Sequence, residues 1–213
     1  MSSAESKTKK AVLFDMGSVL IGWEVRPPFR PHFRSEEDLD VFLRTTFREI
    51  FDAVHDGEGS MAECLRPVRL SHPEAIHLID LYETNWAAFI TGVMEETVAI
   101  VQELHAAGVA LYGLTNWPAQ AWPPQRLLPE DAGSYAFLDL FKDVFVSGEH
   151  KLRKPDPERY RAALRRFDLS AEAAVFVDDH EANVSAAEAL GLTGIHFRDA
   201  EGLRRDLKSA GVL

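Results

Sequence analysis

The chain has 213 residues, 46% hydrophobic and 27% charged, which bounds it at one globular domain or one domain carrying a sizeable insertion and excludes disorder and collagen-like repeats. Asp and Glu number 34 against 23 Lys and Arg, a formal net charge of −11 that argues against a nucleic-acid or anionic-membrane partner. One cysteine, Cys64, excludes a disulfide framework and a Cys-rich zinc site, and no apolar run reaches the roughly 18 residues of a membrane span.

Met1–Lys10 (MSSAESKTKK) has no hydrophobic stretch of the signal-peptide kind, so residues 1–9 read as a flexible tail and the expected location is cytoplasmic. The next segment, KAVLFD, is a continuous apolar run ending at Asp15 and followed by Met16-Gly17-Ser18, the pattern of a strand buried on both faces in a parallel sheet. Residues 22–92 open with a proline-rich loop at 26–31 and carry three helical patterns and no strand. Ser35 caps the first, with Asp38 in the position of a capping-box acid and Leu39, Phe42, Leu43 and Phe47 along one face. Gly59-Ser60 begins the second. Ser71-His72-Pro73-Glu74 begins the third, which carries Ile76, Ile79, Leu81, Tyr82, Trp86 and Phe89.

After residue 93 strands and helices alternate: a helix at 95–107 stopped by Gly108, a strand at 109–114, a Trp/Pro-rich loop, a strand at 144–147, a helix near 157–167, a strand at 174–177, a helix near 181–190 and a strand near 194–197. This order predicts an α/β fold with a doubly wound parallel sheet from residues 10–21 and 93–213, interrupted by a helical insertion at 22–92.

Ligands of such sheets bind at the carboxyl ends of the strands. Those ends and their loops hold Asp15, Thr115-Asn116, Lys154-Pro155 and Asp178-Asp179. Three converging carboxylates repel unless a cation lies between them, and hard oxygen donors suit Mg²⁺, which completes its octahedron with water and a substrate phosphate. Lys154 and the Thr115 hydroxyl then suit the remaining phosphate oxygens, and Asp15 suits in-line attack on phosphorus.

These four motifs, in this order on these elements, resemble those of the haloacid dehalogenase superfamily, and the long interval from Asp15 to Thr115 resembles members with a helical cap inserted after the first strand. The resemblance implies Asp15 as nucleophile, Thr115 as the hydroxyl binding the transferring group, Asn116 as a further donor to it, and Lys154 neutralising nucleophile and phosphate. For the metal it implies Asp15, the backbone carbonyl of Gly17, Asp179 directly, and Asp178 directly or through water. The partner implied is a small phosphorylated substrate, on a monomer or homodimer with no nucleic acid or membrane partner.

Gly17 departs from the phosphatases of the superfamily, which usually carry a second aspartate two residues after the nucleophile as general acid and base. Three readings follow: a substrate with a good leaving group, as in a sugar-1-phosphate phosphatase branch with a similar glycine; a proton supplied by the cap; or a halide leaving group. The alternatives to a phosphatase are thus a metal-independent 2-haloacid dehalogenase and a weakly active or non-catalytic phosphate-binding module. The Asp178-Asp179 pair favours metal and phosphate, because without a cation it is unfavourable beside a carboxylate substrate.

Other residues read less sharply. Trp23, Trp117 and Trp122 flank site loops and either wall a pocket or pack in the core or an interface; Asn183 either supports the site or belongs to a helix's first turn. His150 and His180 flank site loops. Glu24, Arg26, His32 and Arg34 are cap candidates for substrate selection. Residues 35–63 are acid-rich, whereas Lys151, Arg153, Lys154, Arg159, Arg161, Arg165 and Arg166 make 151–166 basic and able to draw a small anion toward Lys154.

Overall fold

The computed structural model describes residues 11–56 and 59–213, without the Asp56 side chain; the expected tail at 1–9 lies outside the described residues. In chain order the elements are β1 (Ala11–Phe14), β2 (Ile21–Trp23), α1 (Arg26–Phe29), α2 (Glu36–Arg44), α3 (Thr46–Asp56), α4 (Met61–Ser71), α5 (Ile76–Thr84), β3 (Ile90–Val93), α6 (Glu95–Ala106), β4 (Leu111–Thr115), β5 (Asp143–Val146), α7 (Ser147–His150), α8 (Pro157–Phe167), β6 (Ala174–Asp178), α9 (Glu181–Glu188), β7 (Thr193–His196) and α10 (Ala200–Ser209). The last helix lies beyond the elements read from sequence.

Five strands form a parallel sheet in the order β5-β4-β1-β6-β7. β1 is central, and all four of its residues are buried. Alternate side chains serve two cores, as the two-residue strand period requires. Val12, Phe14, Val175 and Val177 join Val98, Val101, Leu104, Leu203 and Leu207 on the side of α6 and α10. Leu13, Leu114 and Phe176 join Tyr160, Ala163, Phe167 and Ala187 on the side of α8 and α9. The chain moves outward from β1 through β4 to β5, then returns to β6 on the other side of β1. The carboxyl end of β1 is therefore the switch point where such sheets bind ligands.

The insertion is the expected helical cap, with two corrections. Residues 22–92 do contain strand: β2 and β3 pair antiparallel, Ile21 with Val93, Gly22 with Gly92 and Trp23 with Ile90. Both strands are short and glycine-bearing, and their partners lie about 70 residues apart, so neither shows local alternation. The first helical pattern is also two helices. Thr45, at φ −114° and ψ −93°, leaves the helical region, and its hydroxyl donates to Val41 O at 2.7 Å, competing with the backbone ladder. The apolar face survives the break, because Phe42 of α2 and Phe47 of α3 both meet Phe29, at 4.9 and 5.4 Å between ring centroids.

Both serine N-caps form. Ser35 Oγ accepts from Asp38 N–H at 3.1 Å, but the Asp38 carboxylate accepts from the Ser35 hydroxyl rather than its backbone N–H, whereas Ser60 with Glu63 makes a full capping box ahead of α4. The third pattern begins with a 3-10 turn, Pro73–Ala75, before α5. Trp86 and Phe89 sit on a later 3-10 turn rather than on the helix.

Candidate active site

Asp15 follows β1 directly, Thr115 ends β4, Asp178 ends β6, and Lys154 lies in the loop between α7 and α8. All four are buried. Lys154 Nζ joins the two aspartates, 2.9 Å from Asp15 Oδ1 and 2.6 Å from Asp178 Oδ2. Asp15 Oδ1 also accepts from Met16 N–H at 2.7 Å, which fixes the carboxylate plane. Asp178 Oδ1 accepts from His180 N–H at 2.8 Å and from Asn183 Nδ2 at 2.9 Å. Asn183 therefore supports the site by holding Asp178.

Asp179 is half-buried and its Oδ1 lies 2.9 Å from His180 Nδ1, a contact that raises the imidazole pKa above its ordinary value; His196 Nε2 meets the Asp179 carbonyl at 3.0 Å. One potential ligand atom from each of Asp178, Asp179 and His180 lies within 4.8 Å of the others.

Asp15 and Asp178 share one ammonium, and Asp179 adds a third negative charge close enough to act on Asp15. Burial, opposed by Lys154 and reinforced by Asp178 and Asp179, pushes the Asp15 carboxyl up to about 7. A divalent cation with hard-oxygen preference fits this donor set, because it supplies the positive charge that one lysine leaves unmatched. Thr115 is 1% exposed and its Oγ1 has no hydrogen-bond partner among the described residues, a hydroxyl that suits a phosphate oxygen.

Asn116 is placed differently from its expected role as a donor to substrate. Its Nδ2 donates to Lys154 O at 3.0 Å and its Oδ1 accepts from Lys154 N–H at 2.9 Å, so the amide clamps the lysine backbone. At Gly17 an added Cβ would meet only Trp117, at 3.9 Å, so the missing acid is not excluded by backbone crowding.

Sequence reasoning counted Arg159 only as one of the bases of 151–166 and gave it no structural role; the structure gives it one. Its guanidinium is fully buried and donates to Leu152 O at 2.6 Å, Thr115 O at 2.8 Å and Phe145 O at 2.6 Å, tying the ends of β4 and β5 to the loop that carries Lys154. The available signal was its place beside Tyr160 and Ala163 on the apolar face of α8. The rest of the basic segment is largely neutralised. Arg153 pairs with Asp52 of α3 at 2.5 Å, Arg166 with Asp143 at 2.6 Å and Arg165 with Glu158 at 2.6 Å. His150 lies against Arg166 and Phe145. In the cap, Arg26 pairs with Glu36 at 2.6 Å and Asp40 at 2.5 Å.

The sequence pattern of haloacid dehalogenase-like hydrolases matches residues 9–191. The chain belongs to this family of hydrolases. This haloacid dehalogenase-like hydrolase is 31% identical over 198 residues to a sesquiterpene phosphatase of Aspergillus oryzae, spanning 91% of this chain and 92% of the relative. It is 37% identical over 205 residues to a drimenol cyclase of Aspergillus calidoustus, spanning 93% of this chain but 36% of that longer protein. A haloacid dehalogenase family enzyme of Bacteroides thetaiotaomicron, solved with magnesium and inorganic phosphate, shares the fold at a TM-score of 0.67 and 21% identity, with 89% of this chain and 94% of that one covered. Among the described residues no helix is long and apolar enough to cross a membrane.

Proposed function

We propose that this hydrolase is a Mg²⁺-dependent phosphatase of small phosphorylated metabolites, with residues 22–92 as the cap domain over a core of 10–21 and 93–213. The observation that carries the reading is the chain of ion pairs Asp15–Lys154–Asp178 beside an unpartnered Thr115 hydroxyl. The sesquiterpene phosphatase relative supports an isoprenoid alcohol phosphate over the sugar phosphate suggested by Gly17.

In this reading Asp15, Asp178, Asp179 and the Gly17 carbonyl would hold the metal, which would supply positive charge to the carboxylates and the phosphoryl oxygens. Asp15 Oδ1 is already held by Met16 and Lys154, so Oδ2 is the attacking atom. It bonds to phosphorus as the bond from phosphorus to the substrate oxygen breaks, and that oxygen departs with the electron pair and takes its proton from water. Thr115 and Lys154 bind the transferring phosphoryl oxygens, and water then cleaves the aspartyl-phosphate to restore the carboxylate. Asn116 acts as a positioning residue through the Lys154 backbone. Gly17 supplies no proton, so rates fall steeply as the leaving group becomes more basic.

Phosphate release from p-nitrophenyl phosphate with Mg²⁺, abolished by EDTA and by Asp15→Asn in folded protein, is the expected result. Full activity of Asp15→Asn sinks the mechanism. Chloride release from a 2-haloacid in EDTA, without phosphatase activity, establishes instead the dehalogenase that Gly17 would also suit.

A further inference from the structure

His180 belongs to none of the four motifs, yet both its backbone and its ring turn to the acid pair. It follows β6 and precedes α9, and its N–H donates to Asp178 Oδ1 at 2.8 Å. Its Nδ1 lies 2.9 Å from Asp179 Oδ1 and 3.9 Å from Asp178 Oδ1, and among the described residues the ring has no other polar partner. His196 of β7 donates from Nε2 to the Asp179 carbonyl at 3.0 Å, which fixes the backbone beside it. The His180 side chain is 72% exposed, so it fills no core. An exposed His–Asp contact also contributes little to folding. What it provides is a nitrogen and an oxygen held side by side.

Two ligand atoms at right angles on a six-coordinate ion, each about 2.1 Å from it, stand about 3.0 Å apart. Asp179 Oδ1 and His180 Nδ1 are already at that spacing. The other carboxylate oxygens are in greater demand. Asp178 Oδ1 accepts from His180 N–H and Asn183 Nδ2, Asp178 Oδ2 from Lys154, and Asp15 Oδ1 from Met16 N–H and Lys154. A carboxylate oxygen accepts about two such bonds, so Oδ1 of both residues is filled and each keeps only Oδ2 for a cation. A ring nitrogen relieves that shortage. With the ring proton on Nε2, the Nδ1 lone pair is free for a metal. Imidazole also changes which metal is preferred: carboxylates and carbonyls suit Mg²⁺, whereas a nitrogen ligand raises affinity along the series from Mn²⁺ through Co²⁺ to Ni²⁺.

We propose that His180 Nδ1 is a metal ligand beside Asp179 Oδ1, and that it turns an oxygen site suited to Mg²⁺ into one that holds Co²⁺ and Ni²⁺ more tightly. The proposal rests on the metal-site reading above and not on the reaction. Mg²⁺ and Co²⁺ are titrated calorimetrically into the full chain and into His180→Gln, which keeps the backbone N–H bonded to Asp178. Only Co²⁺ that excess Mg²⁺ displaces is counted, which sets aside histidines elsewhere. His180→Gln is expected to weaken Co²⁺ at least roughly tenfold, the loss that even a residue behind a ligand carries, while Mg²⁺ stays within about threefold. Bound Co²⁺ is also expected to shift one exchangeable imidazole N–H proton far outside the ordinary NMR range, a resonance absent in His180→Gln. A histidine that only hydrogen-bonds Asp179 gives no such signal. Equal weakening of both metals, or unchanged Co²⁺ affinity, overturns His180 as a ligand and leaves the phosphatase reading standing. Selective loss of Co²⁺ in His180→Gln, with no phosphate released from p-nitrophenyl phosphate under either metal, upholds the ligand and overturns the phosphatase reading. Absence of any Co²⁺ that Mg²⁺ displaces overturns both.

Discussion

Replacing Arg159 by methionine removes three buried donors while keeping most of the side chain's apolar length. The lost bonds run to Leu152 O, Thr115 O and Phe145 O at 2.6, 2.8 and 2.6 Å, and the stacking of the guanidinium over Phe145, 4.3 Å from the ring centroid, goes with them. A hydrogen bond from a charged donor is worth about 1.5–3 kcal/mol. Against that sum stands the desolvation of a buried guanidinium, whose pKa burial pushes down to about 9. The balance is a loss of about 3–5 kcal/mol, the range for removing one partner of a buried charged network. With a urea dependence of about 2–3 kcal/mol/M for a chain of this size, the unfolding midpoint should fall by roughly 1–2 M. Arg159→Lys should recover less than half of this, because one ammonium does not reproduce the planar fork. A midpoint for Arg159→Met within about 0.3 M of the unsubstituted protein, or full recovery by Arg159→Lys, would refute the reasoning.

Three further outcomes are expected. His55 is buried, and desolvation together with Arg153 pushes its pKa down to about 3, so it is neutral in the fold while the unfolded chain takes up a proton below about 6.5. Its contribution to stability is therefore full above pH 6.5 and shrinks by about 1.4 kcal/mol per unit as pH falls toward 3; urea midpoints at pH 7.5 and 5.5 should differ less in His55→Phe. An added Cβ at Gly148 would stand 2.3 Å from Ala119 N and 3.0 Å from Trp117 O, both backbone, whereas at Gly17 it meets one ring at 3.9 Å. Gly148→Ala should thus lose about 1–3 kcal/mol in thermal unfolding while Gly17→Ala stays within about 0.5 kcal/mol; equal losses count against the loop packing described. Asn183→Ala frees Asp178 Oδ1 from its side-chain donor and should weaken Mg²⁺ binding by about 10–100-fold in calorimetric titration, and unchanged affinity removes Asn183 from the support of the metal site.

Much of the candidate site was legible in the residues, and for a local reason. An acid closing a continuous apolar strand, a Thr-Asn at a second strand end, a Lys-Pro before a helix and a vicinal acidic pair each depend on neighbours within a few positions. The strand-helix alternation then orders them along one sheet edge. Helix starts at Ser35 and Ser60 were legible for the same reason, since a cap is a bond between residues three apart.

Other features depended on contacts between distant residues. The ribbon of β2 and β3 exists because Ile21 finds Val93, a pairing without local pattern. Arg159 differs from Arg161 and Arg165 only in where α8 packs: it faces the carbonyls of β4 and β5 while they face Glu158. The basic segment's attraction for anions is blunted because Arg153 and Arg166 meet Asp52 and Asp143, which lie elsewhere in the chain. Trp23, Trp86 and Trp117 meet only through packing between segments far apart in the chain. Sequence by itself thus determined which groups stand at the strand ends, because that order follows from local periodicity. Tertiary packing alone decided which charges are neutralised and which polar tips stay unpaired, because both depend on what folding brings within a few ångströms.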